Sequence, residues 1–204
     1  MTKVKICGLT EQQHIEAAVE AGVDAIGFVF APSSRQISVN EAKQLSALIP
    51  KGVLKIGVFV NATAEELHHI YQEVGLDFIQ LHGEETPEFI REVGLPTIKS
   101  FAVRKAEDVL AAKAYDVDYY LFDAPGTVYK GGSGVTFDWA LLRGSGVSTE
   151  KLILAGGLRA ENVQEAIERV RPFMVDVSSG VEKNKRKDGL LMQTFIETVR
   201  DEER

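Results

Sequence analysis

Short apolar runs alternate with longer amphipathic ones along the whole chain. The apolar runs fall near residues 3–7, 25–30, 54–60, 78–82, 97–103, 119–124, 151–155 and 174–178. Each is bounded by Gly, Pro, Asp or Asn and reads as a strand. Between them apolar residues recur at helical spacing, as in Ile15/Ala18/Val19, Leu45/Leu48/Ile49, Leu67/Ile70/Tyr71/Val74 and Phe195/Ile196/Val199. Thr10 with Gln13, Ser38 with Glu41 and Thr63 with Glu66 have capping-box spacing, and Thr86-Pro87 reads as an N-cap followed by Pro at the first helical position. Glu20-Ala21-Gly22-Val23-Asp24 is echoed by Glu73-Val74-Gly75-Leu76-Asp77, and its first half again by Glu92-Val93-Gly94-Leu95. In each echo a helix would end on a glycine able to turn left-handed, and a strand follows.

Eight strands alternating with eight helices predict a parallel sheet with helical crossovers. The count fits one α/β domain over residues 1–204, a closed (β/α)8 TIM barrel. The rival is an open doubly wound sheet. That fold usually carries a glycine-rich turn after its first strand, whereas Cys7-Gly8-Leu9-Thr10 has a single glycine.

Composition narrows the function classes. With 23 Lys and Arg against 30 Asp and Glu, the formal charge is −7, and no basic excess is available for a phosphate backbone; nucleic acid is not an expected partner. One cysteine excludes an internal disulfide and a thiolate metal cage, and fits a reducing cytoplasm. No apolar run is long enough for a membrane span. The opening Met1-Thr2-Lys3 runs directly into the first strand, so no signal peptide is expected.

Strand parity then sorts the polar residues. If Cys7 faces the barrel interior, so does Lys5, and the same parity groups Gln80 with His82, Leu121 with Asp123 and Asp176 with Ser178. Lys99 lies inside the fifth strand with its face undecided. Barrel interiors are normally apolar, and polar residues near the strands' C-terminal ends mark the catalytic face. A purely structural reading competes: Lys5 and Asp176 could form a buried pair holding the closing strands, and a lone cysteine is usually a small buried hydrophobe. A neighbouring ammonium and a helix starting at Thr10 would instead favour the Cys7 thiolate.

Glycine-bearing loops follow strands six, seven and eight: Gly131-Gly132-Ser133-Gly134, Ala155-Gly156-Gly157 and Ser178-Ser179-Gly180. Glycine lets backbone N–H groups approach an anion, and the last two loops are this fold's usual phosphate site. A helix beginning near Asn162 would add its N-terminal dipole. The expected ligand is a small phosphate ester, with Gly132, Gly134, Gly156, Gly157, Ser178, Ser179 and Gly180 around it. Arg35, in the loop after strand two, carries a fork suited to a carboxylate, although an exposed arginine is usually just solvated. The long segment 124–135 has the position of a lid. His82 ends strand four and could touch substrate, while His14, His68 and His69 are expected on helix surfaces. Hydrolase, Walker and zinc-protease motifs are lacking, and no metal site is expected.

Lys5-Ile6-Cys7-Gly8-Leu9-Thr10 resembles the opening motif of the phosphoribosylanthranilate isomerase family. So do Gln80-Leu81-His82-Gly83-Glu84, Leu121-Phe122-Asp123, the segment from Gly131 to Trp139, Leu154-Ala155-Gly156-Gly157-Leu158 and the segment from Val175 to Glu182, in order over essentially the whole chain. The basic stretch Lys183-Asn184-Lys185-Arg186 departs from the pattern. The resemblance implies an aldose–ketose isomerase of tryptophan biosynthesis. It would convert N-(5′-phosphoribosyl)anthranilate to 1-(2-carboxyphenylamino)-1-deoxyribulose 5-phosphate, needing no cofactor. Cys7 would be the general base and Asp123 the general acid, with Arg35, His82 and Asp176 among the substrate contacts. A monomer or homodimer in the cytoplasm is expected. The alternatives are another sugar-phosphate isomerase or epimerase, a related indole-forming synthase with additional N-terminal structure, and a non-catalytic phosphate binder.

Overall fold

In the computed structural model, residues 1–125, 136–143 and 146–201 are described. Eight parallel strands close into a barrel in sequence order. They are β1 (Lys3–Cys7), β2 (Ala25–Val29), β3 (Leu54–Phe59), β4 (Phe78–Leu81), β5 (Thr97–Ala102), β6 (Tyr119–Asp123), β7 (Leu152–Leu154) and β8 (Met174–Val177). Closure joins β8 to β1, with Lys5 opposite Asp176. The barrel expectation holds and the open sheet is excluded.

The helices are α1 (Gln12–Glu20), α2 (Val39–Ser46), α3 (Ala64–Val74), α4 (Pro87–Val93), α5 (Ala106–Leu110), α6 (Ala160–Val170) and α7 (Gly189–Asp201). Ser38 and Thr63 form the expected capping boxes, and Thr86 caps α4 ahead of Pro87. Three expectations need correction. Among the described residues there are seven α-helices, not eight. Between β6 and β7 stand 3₁₀ turns at Trp139–Leu142 and Thr149–Lys151, since the apolar run of the first is soon cut off by the glycine-rich stretch 144–146. The Thr10 capping box does not form: α1 starts at Gln12, and the Glu11 carboxylate beside its N-terminus is bound instead by Gln13 and Arg186. His14 is buried on α1, not exposed, while His68 is half-buried with Nε2 at 2.9 Å from the Val93 carbonyl.

The apolar residues form two cores. One lies between strands and helices. The other fills the barrel with Ala25, Ile56, Ile98, Leu121, Ile153, Ala155 and Met174. At its base Tyr119 packs edge-on against Phe78 at 5.6 Å and stacks on Phe173 at 4.9 Å. Ile98 faces inward, so its neighbour Lys99 faces the helices. There Lys99 Nζ meets Glu85 Oε2 at 3.2 Å and the Leu81 and Gly83 carbonyls, a buried structural cluster away from the barrel interior.

The sequence echo has a structural counterpart. Gly75 and Gly94 end their helices left-handed, and Gly22 follows α1 with φ 86°. The aspartate that precedes β2, β4 and β6 then clips the start of the preceding strand: Asp24 accepts from Val4 N at 2.8 Å, Asp77 from Lys55 N at 2.7 Å and Asp118 from Thr97 N at 2.8 Å. Asp77→Ala would leave the Lys55 amide without this acceptor and should cost about 1–3 kcal/mol of stability. Urea unfolding checks this, and an unchanged midpoint would refute the clip.

Candidate active site

Lys5 and Cys7 point into the barrel from the C-terminal half of β1, as strand parity requires. Lys5 is wholly buried and its Nζ donates to Asp176 Oδ1 at 3.0 Å. The Cys7 thiol lies on the same side, and each group favours the charged form of the other. Burial pulls the Lys5 ammonium down, but Asp176 and Cys7 more than offset it, so Lys5 stays cationic. Burial pushes the Cys7 thiol above its ordinary range, and the opposing pull of Lys5 and Lys187 does not overcome it. The resting group is therefore a thiol rather than the thiolate that its neighbours alone suggest.

Gly27 on β2 faces this pair. A methyl group there would come within 2.8 Å of Cys7 Sγ and 3.2 Å of Lys5 Nζ. A glycine inside a strand often marks such a close approach, and this signal in Ala25-Ile26-Gly27-Phe28-Val29 was overlooked in the sequence.

Asp123 ends β6 on the interior side. Burial, with Asp176 adding repulsion, raises its carboxyl from 3.8 to about 7 against the pull of the Ala124 N–H and Lys5. Cys7 and Asp123 thus both feel the Lys5–Asp176 pair. His82 Nε2 lies 3.7 Å from Asp123 Oδ2, beyond hydrogen-bond length, and its Nδ1 is 3.4 Å from Gln80 Nε2. A protonatable carboxyl, a thiol and a fixed ammonium in one barrel mouth can exchange protons with a bound substrate.

The loops after β7 and β8 come together. Gly156 and Gly157 have φ of 89° and 62°, and side chains on them would be strained. A Cβ on Gly156 would strike Ala124 N, and one on Gly180 would strike the Leu158 carbonyl, so these glycines are where three loops pack. Helix α6 starts at Ala160, with Asn162 Nδ2 donating to the Gly157 carbonyl at 3.0 Å. Ser178 Oγ donates to the Cys7 carbonyl at 3.0 Å, and Ser179 opens a 3₁₀ turn. Gly132, Gly134 and most of the lid segment lie outside the described residues.

Arg35 is not a solvated cation. Its Nε and Nη2 grip the Glu182 carboxylate at 2.6 and 2.9 Å, and its stem covers Gly8. Lys187 Nζ reaches the same carboxylate at 2.7 Å. Neither partner stood out in the sequence, because each is distant from Arg35 along the chain and looks like an ordinary surface charge. Among the described residues, no group of three or more His, Cys, Asp or Glu is placed to hold a metal.

The raised Asp123 pKa has a stability consequence. Below 3.8 the carboxyl is protonated whether folded or unfolded and costs nothing. As pH climbs to about 7 the unfolded chain ionises freely while the folded one retains its proton, and above 7 the full penalty remains. Asp123→Asn should therefore stabilise the fold by up to about 4 kcal/mol at pH ~8 and by nothing at pH ~3, at ~1.4 kcal/mol per tenfold of proton affinity. Thermal melts across that range decide it, and a pH-independent difference would contradict the assignment.

Comparison with known proteins gives a consistent result. The model of a family described as N-(5′-phosphoribosyl)anthranilate (PRA) isomerase matches residues 4–198. An N-(5′-phosphoribosyl)anthranilate isomerase of Bacillus cereus (strain G9842) is 49% identical over 195 residues, spanning 95% of this chain and 96% of that protein. The crystal structure of phosphoribosyl anthranilate isomerase from Thermotoga maritima is similar with TM-score 0.88 and 39% identity, over 98% of this chain and 100% of that one. A crystal structure of such an isomerase in complex with reduced 1-(o-carboxyphenylamino)-1-deoxyribulose 5-phosphate has TM-score 0.85 and 37% identity with the same coverage.

Proposed function

The chain belongs to the N-(5′-phosphoribosyl)anthranilate isomerase family, and on that premise we propose that it isomerises N-(5′-phosphoribosyl)anthranilate with Cys7 as general base and Asp123 as general acid. The observation that carries the reading is the pair itself. A thiol and a carboxyl raised to about 7 face one barrel mouth, both coupled to the Lys5–Asp176 ion pair.

The steps follow from that placement. Asp123, able to hold a proton near neutrality, gives it to the furanose ring oxygen, and the C1′–O bond breaks to a Schiff base. Cys7 takes the proton from C2′, leaving an enolamine that tautomerises to the ketone. Lys5 stabilises the thiolate that this step requires, working against burial. Asp176 and His82 are assigned the sugar hydroxyls. The phosphate is assigned to the loops after β7 and β8, at the backbone N–H groups of Gly157, Ser179 and Gly180, with Gly156 and Ser178 shaping the cradle and Gly132 and Gly134 as the third contributor. Arg35 is assigned the anthranilate carboxylate. Glu182 uses two of its N–H donors, and a guanidinium has five, so a second carboxylate can be held by those that remain.

The direct test is incubation with freshly prepared phosphoribosylanthranilate while its fluorescence is followed. Enzyme-dependent loss is expected, and its absence would leave the phosphate-binding reading in its place. Cys7→Ser and Asp123→Asn should each lower kcat by ~10²–10⁴ with little change in KM. Because Asp123 titrates near 7 and Cys7 above its ordinary range, kcat/KM should rise through about 7 and fall only when the second proton leaves. A profile still rising at the alkaline end, or near-full turnover of either variant, would overturn the roles.

Arg35→Ala should raise KM by the equivalent of ~1.5–3 kcal/mol, the range for a charge-assisted hydrogen bond, and Arg35→Lys should recover only part. The control is a product analogue lacking the carboxylate, which wild type should bind poorly and Arg35→Ala should not distinguish. Equal discrimination by both proteins would assign the carboxylate to another residue.

A further inference from the structure

A hairpin follows β8 and is joined to the site by charged contacts that the reaction scheme leaves unused. Its strands are β9 (Glu182–Lys183) and β10 (Arg186–Lys187), with Lys187 directly opposite Glu182. Asn184 and Lys185 between them have φ of 54° and 63°, the two-residue turn whose twist suits paired strands. A turn this short fixes the register, and so sets Glu182 and Lys187 side by side. Arg186 ties the hairpin to α1 through both Glu11 oxygens, at 2.8 and 2.9 Å.

The side chains of Lys187 and Glu182 are only 3% and 7% exposed. Glu182 Oε1 accepts from Arg35 Nε and from Lys187 Nζ, while Oε2 accepts from Arg35 Nη2. Lys187 directs its other donors to the Ser178 carbonyl at 2.8 Å and Ser178 Oγ at 3.2 Å. Ser178 Oγ in turn donates to the Cys7 carbonyl. One hydrogen-bonded chain therefore runs from Arg35 through Glu182, Lys187 and Ser178 to Cys7. Burial acts to raise the Glu182 carboxyl, yet Arg35 and Lys187 hold it below the usual carboxylate range, while burial pulls the Lys187 ammonium below its own against the opposing pull of Glu182. Desolvating three charges is a costly way to fasten a hairpin that already has a tight turn and an outer ion pair.

We propose that Glu182 and Lys187 are positioning residues: Glu182 aims the Arg35 fork at the substrate carboxylate, and Lys187 holds the Cys7 strand end and adds the positive charge that the thiolate needs. The proposal rests on the isomerase reading. The charged groups around Cys7 are Lys5 from β1, Asp176 from β8, Arg35 and Glu182 from the loop after β2 and from β9, and Lys187 from β10, with Asp123 and His82 facing the mouth from β6 and the end of β4. Lys5 pairs with Asp176, while Arg35 and Lys187 share the one Glu182 carboxylate, so three cations face two carboxylates.

Glu182→Gln, Lys187→Met and Lys187→Arg test this, with Lys185→Gly as a control that relaxes the turn without touching the clamp. Glu182→Gln should raise KM roughly ten- to hundredfold with kcat nearly unchanged, the loss typical of a charge-assisted bond. It should also blunt discrimination against the analogue lacking a carboxylate. Lys187→Met should move the Cys7 titration upward, Lys187→Arg should restore it, and Lys185→Gly should change melting temperature alone. Cys7 is the one cysteine, so carbon NMR of cysteine-labelled protein reads its titration without substrate. Wild type that fails to turn over substrate would sink the isomerase reading, while the NMR shift still tests the clamp. Folded Glu182→Gln with wild-type KM, or folded Lys187→Met with a wild-type Cys7 titration, would overturn the proposal.

Discussion

A charge buried at the centre of a barrel must be answered within the barrel, and the answer to Lys5 is Asp176. The ammonium is wholly removed from water, where an unpaired charge would cost several kcal/mol. That requirement fixes much around it. β1 and β8 must pair with these two residues opposite each other, as they do. The neighbouring β2 position must be glycine, because a methyl there would meet both Lys5 and Cys7. The negative end of the pair raises Asp123, while its positive end opposes the burial of Cys7. Burial is the larger influence on both groups, and one ion pair adds to it at Asp123 and opposes it at Cys7.

The two barrel ends divide the work. At the base, three aromatic rings plug the interior and aspartates clip successive strand pairs through backbone amides. Those contacts are apolar or local, and they contribute rigidity. Toward the mouth the interior changes from Ile98, Leu121 and Ile153 to Lys5, Gln80, Asp123 and Asp176. Polar groups there answer one another and the Ala124 N–H, and Asp123 carries a burial penalty that builds from pH 3.8 to about 7. The stiff base is what allows the mouth to keep such an arrangement.

Much of this was legible in the sequence because it depends on local periodicity. Each expected strand matches an observed one, and the period-two rule placed Lys5, Cys7, Asp123 and Asp176 on the interior side. The glycine echoes were readable because a left-handed helix end has few chemical solutions. What escaped is what depends on distant partners. Arg35 and Glu182 are 147 positions apart, and no pattern around either announces the other. His14 has a polar name on a helix whose face is decided by what packs over it. Thr10 has the right spacing for a cap, but Arg186 from the far end of the chain engages Glu11 where the helix begins. At Cys7 the neighbouring charge that favours the thiolate is visible in the sequence, and the depth of burial opposing it is not.

The site is also where the chain closes on itself. Lys5 and Asp176 are separated by 171 positions, as are Ser178 and Cys7. Arg200, near the chain's other end, reaches the Thr2 carbonyl at 2.7 Å and Asp24 at 2.6 Å. Contacts of such separation carry the largest loop-closure entropy and form only when the intervening units are in place. The lysine can be buried at low cost only after its aspartate has arrived, so a partly closed barrel leaves Lys5 and Cys7 in water. Assembly of the polar groups at the mouth and completion of the barrel are therefore one event. A chain that has not closed β8 onto β1 lacks the seam and the proton chemistry together.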